Sequence, residues 1–226
     1  MPQKDTSKAI LEAAEQLFSE RGFAETSLRT ITARAGVNLA AVNYHFGSKK
    51  SLIHAVFAGF LTPFTARLRS ELSLYEESLA DEPAELRYLL GIVFNTALLT
   101  CADQPERLNR FMRLLGLAYT QGQGHIKRYL NREYGEDFAS FSDLLRRSMP
   151  ELSAEELYWR FHFMLGAVMF TFSGVDTLKA MAEHDVGRLA QTSDVIDLLL
   201  PFVAGGMQVP AQLPVAFAGR EVSGAS

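Results

Sequence analysis

With 226 residues, 48% of them hydrophobic and 21% charged, the chain has material for one large or two modest domains around a sizeable core. That composition excludes disordered, collagen-like and disulfide-stapled classes, and the lone Cys101 fits a reducing compartment. The net charge of −4 conceals an asymmetry: residues 26–70 hold no Asp or Glu but six cations (Arg29, Arg34, Lys49, Lys50, Arg67, Arg69), whereas residues 151–226 hold nine acids against four bases.

The opening MPQKDTSKAI lacks the apolar centre of a secretory signal. A weakly charged run over 161–175 is shorter than the roughly 20 residues a membrane span needs, so a cytoplasmic protein is expected.

Taken in chain order, nearly every segment reads as helix. TSKAILEAAEQLFSERG sets Ile10, Ala13, Ala14, Leu17 and Phe18 on one stripe and Glu12, Glu15, Gln16 and Glu20 opposite, with Thr6 or Ser7 as the cap and Gly22 at the end. TSLRTITARAG follows, capped by Thr26 or Ser27, repeating Leu28, Ile31 and Ala35, and ending at Gly36. Asn38 caps a short helix over 39–46 that turns Val42 and Phe46 inward. Ser48 caps a longer helix running past Leu61, with a kink expected at Pro63, which has no N–H for the Gly59 carbonyl.

Further helices are expected from Pro83 to about 101, from Pro105 to about 119, and from QGQG without interruption to 149. SAEE is a capping-box start, with Ser153 and Glu156, for a helix over 155–178, and SDVIDLLLPFVAGGM forms the last helix, interrupted at Pro201. The expected division is a part of short helices over 1–52, a larger helical part over 53–207 and a mobile tail over 208–226.

Two short helices joined by a turn at Gly36 and Val37, with a supporting helix before them, make a helix-turn-helix. Its outward residues suit the major groove. Asn38 and Asn43 offer amides that pair with adenine, Ala40 and Ala41 permit close approach to a thymine methyl, and Tyr44 can donate to a phosphate. Ser27 and Lys49 stand at helix starts, where backbone N–H groups favour phosphate oxygens.

Residues 10–52, with Phe18-x-x-x-Gly22-Phe23, Thr26-Ser27-Leu28-Arg29 and Tyr44-His45-Phe46-x-Ser48-Lys49 in order, resemble the DNA-binding domain of TetR-family transcriptional regulators. The resemblance implies an all-α fold of about nine helices, with the helix-turn-helix at about 27–46. It also implies that Ser27 and Arg29 approach the DNA backbone, that residues 38–43 face bases, and that Tyr44, His45 and Lys49 sit at phosphates. The wording of residues 23–53 further resembles the fatty-acid-responsive, PsrA-type branch of that family. This implies a homodimeric repressor of fatty-acid metabolism genes, released from its operator by a long-chain fatty acid or acyl-CoA.

The remaining helices concentrate soft, bulky side chains that serve either as core or as an adaptable apolar pocket. Phe94, Leu98, Phe111, Met112, Leu115, Trp159, Phe163 and Phe170 are the candidate ligand contacts, with Arg113, His125, Lys127, Arg128 or His162 as candidates for a carboxylate head. Leu165, Val168, Val195, Leu198, Leu199 and Phe202 form apolar faces suited to pairing two copies as a four-helix bundle. Pro63 with Gly59 is a candidate hinge between reader and pocket.

An aromatic compound or drug is the alternative effector. No H-E-x-x-H, paired-Cys or phosphate-loop motif is present, QGQGH at 121–125 is a weak glycine-rich loop, and the five His are scattered. Neither an enzyme nor a metal or other cofactor is expected.

Overall fold

Four helix starts are set by one side chain each, which accepts a hydrogen bond from the backbone N–H three residues on. Ser27 accepts from Thr30 at 3.1 Å, Asn38 from Ala41 at 2.9 Å, Ser48 from Ser51 at 3.0 Å and Ser153 from Glu156 at 3.2 Å. The computed structural model describes residues 3–80, 82–121, 124–188 and 191–210. All but the first three residues of the expected tail therefore lie outside the described residues.

Among the described residues there are eleven helices and no strand: α1 (Gln3–Glu25), α2 (Leu28–Ala35), α3 (Leu39–Phe46), α4 (Lys49–Leu79), α5 (Leu86–Thr100), α6 (Glu106–Thr120), α7 (Gly124–Tyr134), α8 (Asp137–Arg147), α9 (Ala154–Ser173), α10 (Val175–Val186) and α11 (Thr192–Gln208). The all-α expectation holds, but eleven helices replace about nine because two expected helices are each broken. One breaks after Tyr134, where the Gly135 N–H bonds the Asn131 carbonyl at 3.1 Å before α8 starts. The other bends by 75° at Gly174 between α9 and α10.

Glycine is a poor helix former, and at both breaks it ends a helix whose apolar repeat resumes beyond it. The two prolines act in the opposite sense: α4 runs on through Pro63 and α11 through Pro201. α1 starts at Gln3, ahead of the expected cap at Thr6 or Ser7, and Gly22 inside it has φ 83° and ψ 169°. The expected boundary between residues 52 and 53 falls inside α4.

α4 joins the two parts of the molecule. It is the one described helix long and apolar enough to cross a membrane, yet half of its apolar window is buried within the protein, as in a core helix. Phe18 meets Phe23 at 5.5 Å between ring centroids, Phe23 meets Phe57 at 6.2 Å, and Phe57 meets Phe111 edge-on at 6.0 Å. Phe60 stacks on Phe111 at 3.8 Å. This aromatic chain passes from α1 through α4 into α6, so the buried residues form one continuous cluster.

Charge crosses the same junction. Glu15 of α1 accepts from Arg107 Nε and from Arg110 Nη1, each at 3.2 Å, and Arg110 also reaches Glu106 at 2.8 Å. Arg107 passes so close to α4 that a Cβ on Gly59 would lie 2.8 Å from its Nη2. Gly59, expected as a hinge element, is thus where a guanidinium crosses the helix. Glu15→Ala removes the shared acceptor of two half-buried cations and is expected to lower stability by about 1–3 kcal/mol, read as a shifted urea midpoint with unchanged slope.

Further along α4, His54 stacks on Tyr129 of α7 at 4.0 Å with an interplanar angle of 8°, and His125 lies 5.6 Å away. The His54 Nε2 is sealed from solvent without a hydrogen-bond partner among the described residues. Burial, then the charges of His125, Lys50 and Arg132 against the opposing Glu133, hold His54 below the ordinary histidine value of 6.5. Burial, then Lys50 and Arg128, does the same to His125.

The unfolded chain therefore takes up protons first as pH falls through 6.5, so this packing is at full strength above that value and weakens below it. Urea midpoints are expected to drop between about pH 7.5 and about pH 5.5. The drop should be smaller in His54→Phe, which keeps the stacked ring and loses the titration.

Candidate nucleic-acid interface and effector cavity

The turn between α2 and α3 is closed by Gly36, whose φ of 66° and ψ of 31° are left-handed and whose N–H bonds back to α2. The Val37 N–H adds a bond to the Thr32 carbonyl at 3.0 Å. Val42 is fully buried against α1 and α4, while Phe46, expected beside it, is only half-buried. Anchoring on Val42 turns Asn38, Leu39, Ala40, Asn43 and Tyr44 to solvent. Ala41 is partly buried against the core, and His45 is half-buried with its ring edge-on to Tyr44 at 5.1 Å.

The candidate DNA contacts differ in how free they are. Asn38 Oδ1 accepts from the Ala41 N–H, which leaves only the amide donors of that side chain for a base. The Asn43 amide makes no hydrogen bond among the described residues, so it retains the donor and acceptor that bidentate pairing with adenine requires. Ser27 is occupied as a cap and shares a proton with Thr30 Oγ1 at 2.8 Å. Arg29 is exposed, Arg34 donates to Gln16 at 2.9 Å, and Lys49 Nζ reaches the Ala24 carbonyl at 3.4 Å.

A cavity of about 370 Å³ opens where α1, α6 and α9 meet. Met112, Leu117, Met169 and Phe170 give it an apolar lining, Ser19 contributes from α1, and Arg113 stands at its edge with Nε on the Ser173 carbonyl at 2.5 Å. Two of the eight expected ligand residues, Met112 and Phe170, line it. Phe111 is buried in the aromatic chain instead, and Phe94, Leu98 and Leu115 pack partly buried against the core. Of the expected head-group cations only Arg113 is at this cavity. Arg128 is exposed, His125 packs at α4, Lys127 lies over the Tyr119 ring at 5.2 Å, and His162 Nδ1 pairs with the Tyr158 carbonyl at 2.7 Å. Leu117, Gly116 and Ser173 of the lining were not anticipated; a glycine within the apolar run of α6 was the available signal.

Trp159 and Phe163 are turned outward from α9 and stack on each other at 6.1 Å. Helical periodicity places 159, 163 and 170 on one stripe and Val168 with Phe172 on the other, so the first set faces solvent and the second the core. On α11, Leu198 and Phe202 are 74% and 71% exposed, and Val195 is half-buried. Val168 and Leu199, expected at a face between copies, are buried within this chain, and Leu165 is half-buried. α9 packs on α11, which brings the two exposed apolar stripes onto adjacent helices.

The chain matches the family model for bacterial regulatory proteins of the tetR family over residues 10–56, and that for the tetracyclin repressor-like C-terminal domain over residues 92–206. It is 46% identical over 69 residues to the HTH-type transcriptional repressor Rv3405c of Mycobacterium tuberculosis, covering 30% of this chain and 37% of that protein. It is 32% identical over 109 residues to the HTH-type transcriptional regulator TtgR of Pseudomonas putida, covering 48% and 50%. These matches span between a third and a half of the curated relatives' length. The crystal structure of a TetR-like transcriptional regulator from Rhodococcus sp. RHA1 superposes with a TM-score of 0.55 at 20% identity, over 89% of this chain and 95% of that one, and shares the fold. Since one family model covers half of the chain and a second covers the reader, the protein belongs to the TetR family of bacterial regulatory proteins.

Proposed function

We propose that the protein is a cytoplasmic, ligand-responsive transcriptional repressor that grips a pseudo-palindromic operator as a homodimer. It is released by a long-chain fatty acid or acyl-CoA. The observation that carries the DNA reading is the exposed face of α3, with Asn43 and Tyr44, set in a stretch of 45 residues (26–70) that has six cations and no acid. α3 enters the major groove, where Asn43 reads a base and Ala40 allows close approach. Arg29, Tyr44, His45 and Lys49 meet phosphates, helped by the N-termini of α2 and α4.

Two copies pair through the apolar stripes of α9 and α11, where Phe163, Leu198 and Phe202 would otherwise face water. Pairing sets the two α3 helices about 34–36 Å apart, or a multiple of that, which matches successive major grooves.

The acyl effector occupies the cavity between α1, α6 and α9. Its methionines adapt to a flexible tail, and Arg113 can leave the Ser173 carbonyl for a carboxylate. Because Ser19 of α1 lines the cavity, an occupant presses directly on the reader's supporting helix. A compact aromatic compound or drug is the second reading, favoured by the Phe170 ring and the modest volume of about 370 Å³.

Asn43→Ala is expected to lose about 1–3 kcal/mol of discrimination at one operator position. Lys49→Ala should instead weaken all sequences alike and reduce the salt slope by about one. Equal loss of specificity from both would contradict the assignment.

For the effector, fluorescence anisotropy on an operator fragment should report release by oleate or oleoyl-CoA below their micelle thresholds, with no release by a neutral detergent. Met112→Trp, which fills the cavity, should keep DNA binding and blunt that response. Release by aromatic compounds alone would transfer the cavity to the second reading.

A further inference from the structure

Side chains fasten α4 to α7 at two levels. Near the start of α4, His54 stacks on Tyr129 at 4.0 Å with the rings 8° from parallel. Further along, the hydroxyls of Thr62 and Tyr134 share a hydrogen bond of 2.9 Å. At 1.5 Å per residue the two fasteners stand about 12 Å apart along α4. The first lies within two turns of Ser48, Lys49 and Lys50, where the reader ends and α4 begins, and the second lies beside Pro63 in the larger helical part. Of the two, only the first is built on an imidazole, the side chain that changes charge near neutral pH.

The surroundings of His54 suit the neutral ring alone. Its Nε2 is sealed from solvent and has no hydrogen-bond partner among the described residues, so a proton added there would meet no acceptor. The charges that act on it come from α4 and α7. Lys50 acts from its own helix, and from α7 come His125, 5.6 Å away between ring centroids, and Arg132, whose guanidinium lies 5.9 Å from the Tyr129 ring. Arg128 adds to the cations around His125. The opposing carboxylate, Glu133, is already held by Arg132 at 2.6 Å, and the remaining groups of α7 at this face are the neutral hydroxyls of Tyr129 and Tyr134. A charged ring in this place gains no partner and repels its neighbours, and parting of the stack returns it to water.

We propose that the His54–Tyr129 stack is an acid-operated latch on the reader: protonation of His54 and His125 parts α4 from α7 at the reader end, while the Thr62–Tyr134 bond holds the far end. The reader then loses a brace that fixes the start of α4 and, through it, α3. The proposal rests on the reading of α3 as the DNA contact. Because the closed latch is the neutral form, and both histidines lie below the ordinary 6.5 in it, DNA affinity is full above that value and falls below it.

The test compares anisotropy titrations of operator DNA at about pH 7.5 and about pH 5.5, at fixed ionic strength, for wild type and His54→Phe. That variant keeps the stacked ring and loses the titration, and any charge gained by His45 of the reader is common to both proteins. Wild type is expected to lose at least about fivefold in affinity relative to His54→Phe over that range. Arg132→Gln removes a cation and frees Glu133, so it should move the loss to higher pH.

Hydrogen exchange, corrected for the intrinsic effect of pH, reads the latch without DNA. Acid should raise exchange between Lys50 and Phe57 more than between Thr62 and Leu68, and His54→Phe should suppress that difference. Uniform exchange along α4, or an equal pH dependence of DNA affinity in wild type and His54→Phe, would overturn the proposal. Localised exchange in a protein that binds no duplex at the higher pH would refute the reading of α3, and the coupling to DNA with it.

Discussion

Phe57 and Phe60 of α4 both touch Phe111 of α6, and through Phe23 the same contacts continue to Phe18 of α1. A reader built on a short helix pair cannot bury enough apolar surface to hold α3 rigid by itself, and here it does not have to. Val42 closes onto a core that extends without interruption into the larger part of the chain. The orientation of α3 is therefore a property of how α1, α4 and α6 pack together. A change of packing at α6 reaches α3 through interior contacts, which resist compression and shift in discrete steps.

Charge refines what the aromatic chain enforces. Glu15 ties α1 to two arginines of α6, and the guanidinium of Arg107 passes over Gly59, where there is no side chain to meet it. On the opposite flank, His54 and Tyr129 fasten α4 to α7 by ring stacking, with Lys50, Arg128 and Arg132 close enough to oppose protonation. The histidine contact is strongest when its rings are neutral, the state that burial and the neighbouring cations favour.

The helix-turn-helix was legible because it rests on local chemistry. Ser27, Asn38 and Ser48 cap in the way their side chains prefer, and Gly36 takes the left-handed conformation that few other residues adopt cheaply. What was not legible depends on long-range packing. A long apolar repeat continues across Gly135 and across Gly174, so periodicity alone predicts one helix where tertiary contacts make two. Pro63 and Pro201 deprive one carbonyl each of its donor, a loss that the surrounding packing tolerates. The stripe of Trp159, Phe163 and Phe170 reads as interior by composition, and only the orientation of α9 against α6 and α11 shows that it is not. Asn38 was the reverse case: its identity suggested a base contact, and its capping bond takes half of that capacity away.

That restriction bears on how a signal could act. In the proposed mode of DNA binding, Asn43 offers a complete amide where Asn38 does not, so that mode leans on phosphate contacts duplicated in the two halves of the proposed dimer. Such a dimer is sensitive to the spacing of its readers. α4 has 31 residues and is about 46 Å long at 1.5 Å per residue, with the reader at its N-terminal end. Pivoting α4 about its far end by about five degrees displaces the reader by about 4 Å, roughly the rise of one base pair, by the same helix dimensions. In the proposed dimer the α1/α6/α9 cavity is placed to drive such a displacement, because Ser19 of α1 forms part of its wall and α1 packs directly on α2, α3 and α4.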